Sequence, residues 1–272
     1  MRDKKTFEGE FDRIYDLLIS DRGFSFSRFS DGERTVLSNK KLVIEENYFI
    51  QADVFGDRKI KAPRPYLPEE RKEFIPSKHG FYHDKLLEAY LFRDDYYLKG
   101  ICGKNETEYG PCFEQMIALH GGDHQSLTFS NVLQNNNYSV FVEKMIPYFC
   151  NLEVIMVANK NSKCENLPFN VKKFFPIGYN CMINDYSLVE EISTYIEQSN
   201  ITNHLFLFSA ATLSNFLCYE LYRRFPNNKY MDIGSTLGPL LGLHGWKNSR
   251  GYLTAYWMNS GSPYAKQVDV WS

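Results

Sequence analysis

Two carboxylates stand on either side of a glycine in Arg28-Phe-Ser-Asp31-Gly32-Glu33. Hard divalent cations such as Mg²⁺ and Mn²⁺ take oxygen ligands, usually one or two protein carboxylates completed by substrate phosphates and water. Asp31 and Glu33 have the types and spacing for that role. Gly32 lets the backbone approach a ligand closely, and Arg28 can meet a phosphate or carboxylate with its forked guanidinium. The same residues also spell a capping box: Ser30 and Glu33 can satisfy the first amides of a helix while Asp31 complements its dipole. Spacing alone leaves both readings open.

A second cluster is His120-Gly-Gly-Asp123-His124. Two imidazoles and a carboxylate within five residues are the usual donors for zinc or another transition metal, which would suit a metal-dependent phosphohydrolase or nucleotidase. The glycines spoil a helical face for the two histidines, so a turn ahead of Leu127-Thr-Phe129 is the simpler reading, with Asp123 or His124 facing a cleft. His79-Gly-Phe-Tyr-His83 reads as a helix start, and His244 as a buried or capping histidine. No nucleophile elbow, Walker A loop or Cys/His catalytic signature is present.

Elements must carry these groups. Phe7, Phe11, Ile14 and Leu18 recur at helical spacing, predicting an amphipathic helix over 7–19 ended by Asp21-Arg-Gly23. Phe24–Phe29 alternates as a strand, and Ser30 then opens a helix to about Asn39. Four prolines (Pro63, Pro65, Pro68, Pro76) among many charges make 55–80 an ordered excursion rather than regular structure, fit for a lid or an acceptor-binding loop. Helices are expected from His83, over 111–119 and near 138–149, with short strands at 100–102 and 127–129. Beyond 150 the pattern is regular: strands at 154–158, 171–175, 204–208 and 230–233 alternate with helices at 188–199 and 212–224. That alternation is the mark of an α/β fold with a mostly parallel, Rossmann-like sheet, although no G-x-G-x-x-G follows any strand. One domain over 1–272 is expected, with an elaborated N-terminal part (1–150) and a Rossmann-like part (151–272).

In such a sheet, ligands bind beyond the carboxyl ends of the strands, where helix N-termini attract phosphate. The loops that would converge there offer Asn159, Lys160, Asn180, Ser209, Thr212, Asp232 and Ser235. Each also has an ordinary role, as cap, turn or solvated lysine.

The segment Phe26-Ser-Arg-Phe-Ser-Asp-Gly-Glu33, after a short N-terminal helix, resembles the R-[FY]-[GS]-D-G-E motif of the bacterial GT-D-fold glycosyltransferases, formerly grouped as a family of unknown function. Leu205-Phe-Leu-Phe-Ser-Ala-Ala211 and Tyr230-Met-Asp-Ile-Gly-Ser235 are similar to that family's closing strand, loop, helix and strand. The resemblance implies a GT-D-like fold and a metal-dependent transferase using a nucleotide-diphosphate sugar, a UDP-sugar being the favoured donor, with Mn²⁺ or Mg²⁺ at Asp31 and Glu33. A glycan or glycoconjugate acceptor and a part in polysaccharide biosynthesis follow from it. One departure stands out: where the family commonly has Gly-Pro after the penultimate strand, this chain has Ala210-Ala211. Donor contacts are expected from Arg28, Gly32 and the strand-end residues above. For a base that takes the acceptor proton, the candidates are Glu33, Asp123 and Asp232.

Composition limits the alternatives. Among 272 residues, 31 Lys+Arg balance 33 Asp+Glu, giving a net charge of -2. A nucleic-acid or anionic-membrane partner held by overall charge is therefore not expected, because that hold needs a clustered positive excess. Aromatics make up 16% of the chain, and 19 of them are tyrosines, rings that suit carbohydrate or nucleoside pockets. That surplus also fits a non-catalytic nucleotide-sugar-binding module. Six cysteines without a CxxC pair read as free thiols. With a charged N-terminus and no run of 18 apolar residues, a cytoplasmic location without a membrane span is expected.

Overall fold

The computed structural model describes residues 5–53, 56–62, 65–66, 70–102, 112–134 and 137–243. His244 lies outside them. Helix α1 (Phe7–Ile19) opens the chain. Thr6 caps it by accepting the Gly9 amide at 3.0 Å, and Phe7, Phe11, Ile14 and Leu18 are buried. Phe7 stacks on Phe129 with ring centroids 4.4 Å apart. Each such side chain taken out of water contributes roughly 1.5–3 kcal/mol.

Strand β1 (Phe24–Phe29) follows, then α2 (Asp31–Leu37). The next four strands, β2 (Leu42–Ile44), β3 (Tyr48–Asp53), β4 (Gly56–Lys61) and β5 (Lys72–Phe74), form a separate antiparallel sheet in the order β4-β3-β2-β5. Two of these strands, β4 and β5, lie in the proline-rich stretch expected to be irregular. Of its prolines, Pro65 falls between β4 and β5 and Pro76 opens a helix, positions where no ladder amide is lost; Pro63 and Pro68 lie outside the described residues.

Helix α3 (Pro76–Leu91) takes in the His79–His83 segment, with His79 out of helical geometry and its Nδ1 accepting the Ile75 amide at 2.9 Å. Then come β6 (Tyr97–Ile101), α4 (Cys112–Leu119), β7 (Leu127–Phe129), α5 (Tyr138–Val140), a π-helical turn (Phe141–Met145) and α6 (Ile146–Phe149). The second half continues with β8 (Val154–Asn159), β9 (Val171–Ile177), α7 (Cys181–Asn184), α8 (Leu188–Gln198), β10 (Leu205–Phe208), α9 (Thr212–Arg224), β11 (Lys229–Asp232) and α10 (Gly238–Leu241).

The large sheet has seven strands in the order β7-β6-β1-β11-β10-β8-β9, and its pairings are parallel. This is the α/β, mostly parallel architecture read from the alternation. β1 sits centrally. The chain leaves it toward β6 and β7 on one side, and returns on the other side through β10 and β11. That reversal of direction opens a crevice at the carboxyl end of β1. Behind it, α9 is buried from Thr212 to Tyr222, with Asn215 donating to Ser27 Oγ at 3.0 Å and to the Arg28 carbonyl at 2.8 Å. Those bonds tie the central helix to the strand that carries the Asp-Gly-Glu turn.

The free-thiol expectation is corrected at one pair. Cys102, just past β6, and Cys112, at the start of α4, are joined by a disulfide. Ten residues separate them in sequence, and only the fold brings their Cα atoms to 6.7 Å. Cys150, Cys164, Cys181 and Cys218 remain thiols. No helix among the described residues is long and apolar enough to cross a membrane.

Candidate active site at the carboxyl edge

The Asp-Gly-Glu turn begins α2 at the carboxyl end of β1. Glu33 is buried and held twice, its Oε2 accepting the Ser30 amide at 3.0 Å and its Oε1 accepting the Thr212 hydroxyl at 2.7 Å. The capping reading of Glu33 is thus realised, and the bond to Thr212 joins α2 to the N-terminus of α9. Asp31 is exposed, and its carboxylate has no hydrogen bond or ion pair among the described residues. One carboxylate is open and its neighbour is fixed.

Arg28 is half-buried at the same edge. Its Nε donates to the Ser130 carbonyl beyond β7, and its guanidinium lies against Gly234, where a Cβ would fall 1.8 Å from Nη1. Gly234 also has a φ of +49°, so this residue is required both for conformation and for space. Asp232 is buried between these two, accepting the Gly234 amide at 3.0 Å and the Arg28 amide at 3.3 Å. Burial pushes its carboxyl up to about 7, against the pull of the Arg28 charge and with the added push of Glu33.

The remaining predicted residues divide by what they hold. Asn180 exchanges two bonds with Glu73 of β5, at 3.2 and 3.3 Å, and so clamps the small sheet to the large one. Ser209 donates to the Gly234 carbonyl at 2.7 Å, and Asn159 accepts the Asn161 amide at 2.8 Å in a local turn. Ser235 accepts the Gly238 amide through its carbonyl at 2.9 Å. Lys160 is exposed past β8. The structure brings Arg28, Asp31, Glu33, Ser209, Thr212, Asp232 and Ser235 to neighbouring strand ends, and turns Asn159, Asn180, Ser209 and Thr212 mainly to structural bonds.

Asp123 is not brought there. It sits in the loop that enters β7, at the amino edge of the sheet, which removes it as a base for chemistry at Asp31. Its histidine neighbours are engaged: His120 Nε2 accepts from Lys99 Nζ at 2.7 Å, its Nδ1 donates to the Gly122 carbonyl at 3.3 Å, and His124 Nδ1 accepts the Ser126 amide at 3.1 Å. Burial and the Lys99 charge lower His120 to about 4. The described residues hold no group of three or more His, Cys, Asp or Glu able to bind a metal ion.

Two cations at the carboxyl edge escaped the sequence reading. A cavity of about 290 Å³ lies between the small sheet and the N-termini of α7 and α9. Leu42, Phe74 and Met182 give it apolar walls, while Arg71, Lys72 and Thr212 give it polar ones. Gly32 borders it, since a Cβ there would meet Lys72 Nζ at 3.2 Å and Leu42 Cδ2 at 4.0 Å. Lysines and arginines in a charged, proline-rich stretch look like solvated surface. The signal that could have found them is the Leu42-Val-Ile44 and Tyr48-Phe-Ile50 pair of apolar runs, which requires a partner sheet.

No protein-family model and no curated protein matches this chain. Among solved structures it is similar to one described as a new glycosyltransferase (DUF1792) from Streptococcus sanguinis, with a TM-score of 0.53 and 13% identity over 88% of this chain and 83% of that one. It is also similar to a structure of domain of unknown function 1792 described as having a distinct glycosyltransferase fold, with a TM-score of 0.51 and 10% identity over 88% and 78% of the two chains. The class defined by the fold is therefore the GT-D-like glycosyltransferase fold that the Asp-Gly-Glu motif suggested. At these identities the fold is what is shared.

Proposed function

We propose that the protein is a divalent-metal-dependent glycosyltransferase, moving a sugar from a nucleotide-diphosphate sugar to a hydroxyl of a glycan or glycoconjugate. The observation that carries this reading is the open Asp31 beside the locked Glu33, at the central strand end of a glycosyltransferase-like fold and next to a cavity. A UDP-sugar is the favoured donor and polysaccharide assembly the favoured setting.

The donor set fits a hard cation that takes most of its ligands from the substrate. Asp31 offers a free carboxylate, and each held oxygen of Glu33 keeps a second lone pair. Mn²⁺ or Mg²⁺ bound by this pair would supply positive charge to the donor's diphosphate. Thr212 and the Ser30 amide keep Glu33, and with it the turn, in one geometry, so no reorganisation is needed as charge develops. Arg28 faces the same edge from β1. Glu33 is engaged and Asp123 is remote; Asp232 has a proton affinity near neutrality, but its oxygens face the Arg28 and Gly234 amides, which suits balancing Arg28 better than touching an acceptor.

The test is nucleotide-sugar turnover, by transfer or slow hydrolysis, in the presence of Mn²⁺ for wild type, Asp31→Asn and Glu33→Gln. Turnover that requires the metal and falls in both folded variants is the expected result. Undiminished turnover in both would sink the reading.

A further inference from the structure

Lys72 is a cation without a partner: among the described residues its amine has no hydrogen bond and no ion pair, though it is only half exposed. It stands over Gly32, between the two carboxylates of the turn, and lines the cavity under the small sheet. Beside it Arg71 is steered by Glu46 at 3.0 Å, yet its Nε is buried with nothing to donate to. On the opposite wall, the backbone amides of Ala211 and Thr212 at the start of the 13-residue α9 donate to no acceptor among the described residues. Four donors without a partner among the described residues, an amine, a guanidinium nitrogen and two backbone amides, thus belong to residues that line one space.

We propose that this cavity takes the sugar-diphosphate end of the donor and that Lys72 is the catalytic cation meeting the departing phosphate oxygen. This rests on the glycosyltransferase reading above. About 290 Å³ lies at the lower end of ligand pockets, which run to roughly 300–1,000 Å³, so it suits part of a nucleotide sugar rather than the whole. Glu70 and Glu73 also line the cavity, so its two cations are balanced by two carboxylates. The two negative charges of a diphosphate diester would be shared between the divalent ion at Asp31 and Glu33 and the unsatisfied donors of the cavity.

The demand for positive charge rises during reaction. As the bond from the anomeric carbon to the diphosphate oxygen breaks, its electron pair stays on that oxygen and the leaving group gains one negative charge. The acceptor oxygen forms the new bond to the anomeric carbon, and its proton passes to solvent water. Lys72 and the α9 amides answer the added charge, an interaction stronger in the transition state than in the ground state.

Calorimetry with inorganic pyrophosphate and with UDP, each with Mn²⁺, tests the site on wild type, Lys72→Met and Lys72→Arg, after thermal melts confirm folding. Pyrophosphate binding weakened at least about tenfold by Lys72→Met and restored largely by Lys72→Arg is expected, together with a roughly 100-fold lower kcat at little-changed KM in nucleotide-sugar turnover. Wild type that binds no pyrophosphate, or a Lys72→Met enzyme with unchanged binding and kcat, would overturn the role of Lys72 while leaving metal-dependent turnover intact. Loss of that turnover reading itself shows separately, as wild type that turns over no nucleotide sugar.

Discussion

The two edges of the large sheet hold comparable stocks of reactive side chains and use them in opposite ways. At the amino edge, Lys99, His120 and His124 bond to one another or to nearby main chain, Lys99 donating to the carbonyls of Tyr90 and Phe92 as well as to His120. At the carboxyl edge, Asp31 and Lys72 have no side-chain partner among the described residues, and Glu33 is fixed beside them. In sequence the His-Gly-Gly-Asp-His cluster is the denser motif. What separates a site from a structural knot is the donors and acceptors left unspent, and those become countable only once the chain is folded.

The largest expected effect breaks or confirms that comparison directly. Asp31→Asn should lower metal-dependent turnover at least roughly 1,000-fold, as expected for loss of a charge that stabilises the transition state. His124→Ala, at the other edge, should leave kcat/KM within a few-fold of wild type. A His124→Ala enzyme as damaged as Asp31→Asn would mean that the chemistry spans both edges.

A second contrast lies in the response of stability to pH. Burial lowers Lys99 from 10.5 to about 7, with the Arg93 charge adding to it. Between those values the unfolded chain binds a proton that the folded protein lacks, so stability rises with pH. Asp232 is raised from 3.8 to about 7, so between those values the folded protein holds the extra proton and stability falls as pH rises. His120, lowered from 6.5 to about 4, works against the Asp232 fall between pH 4 and 6.5. Urea unfolding of wild type and Lys99→Met from pH 7 to 10 isolates the first limb. Wild type should gain up to a few kcal/mol more than the variant across this range. Parallel curves for the two proteins would show that Lys99 carries an ordinary proton affinity.

Much of the architecture was legible because it obeys periodicity. The four-three-four spacing of Phe7, Phe11, Ile14 and Leu18 reports burial on one helix face, and α1 runs over the residues it implied. β1, β7, β8 and α9 were readable for the same reason, as apolar runs of the right length between turn residues. The small sheet was not, since β5 is only three residues long and begins with Lys72-Glu73, charges that alternate in a strand just as they do in a solvated loop. The Cys102–Cys112 pair was hidden because proximity between β6 and α4 is a property of topology. Asn215 inside α9 gave no signal, because a buried asparagine in a helix declares itself only through the strand it grips. The Asp-Gly-Glu turn was found by its spacing, but which carboxylate is open depends on Thr212, 179 positions away.

The smallest effect concerns the backbone at each edge. Ala211, ahead of α9, has φ +44° and ψ -137°, a conformation that glycine adopts freely and an L side chain resists. At the amino edge Gly122 has φ +111°, and a Cβ there would meet nothing within 4 Å. The carboxyl edge therefore stores strain where the amino edge avoids it, and the strained residue is the one presenting free amides to the cavity. Ala211→Gly should relieve about 1–2 kcal/mol of strain and return roughly 0.4–1 kcal/mol through the greater freedom of the unfolded chain, a net gain near 1 kcal/mol in urea unfolding. Gly122→Ala should cost a similar amount. If the strain serves to aim the Ala211 and Thr212 amides, the more stable Ala211→Gly protein should bind pyrophosphate two- to threefold more weakly, because glycine loosens what alanine holds. Loss of stability in Ala211→Gly would show that the entry to α9 carries no strain, and that the two edges differ only in their side chains.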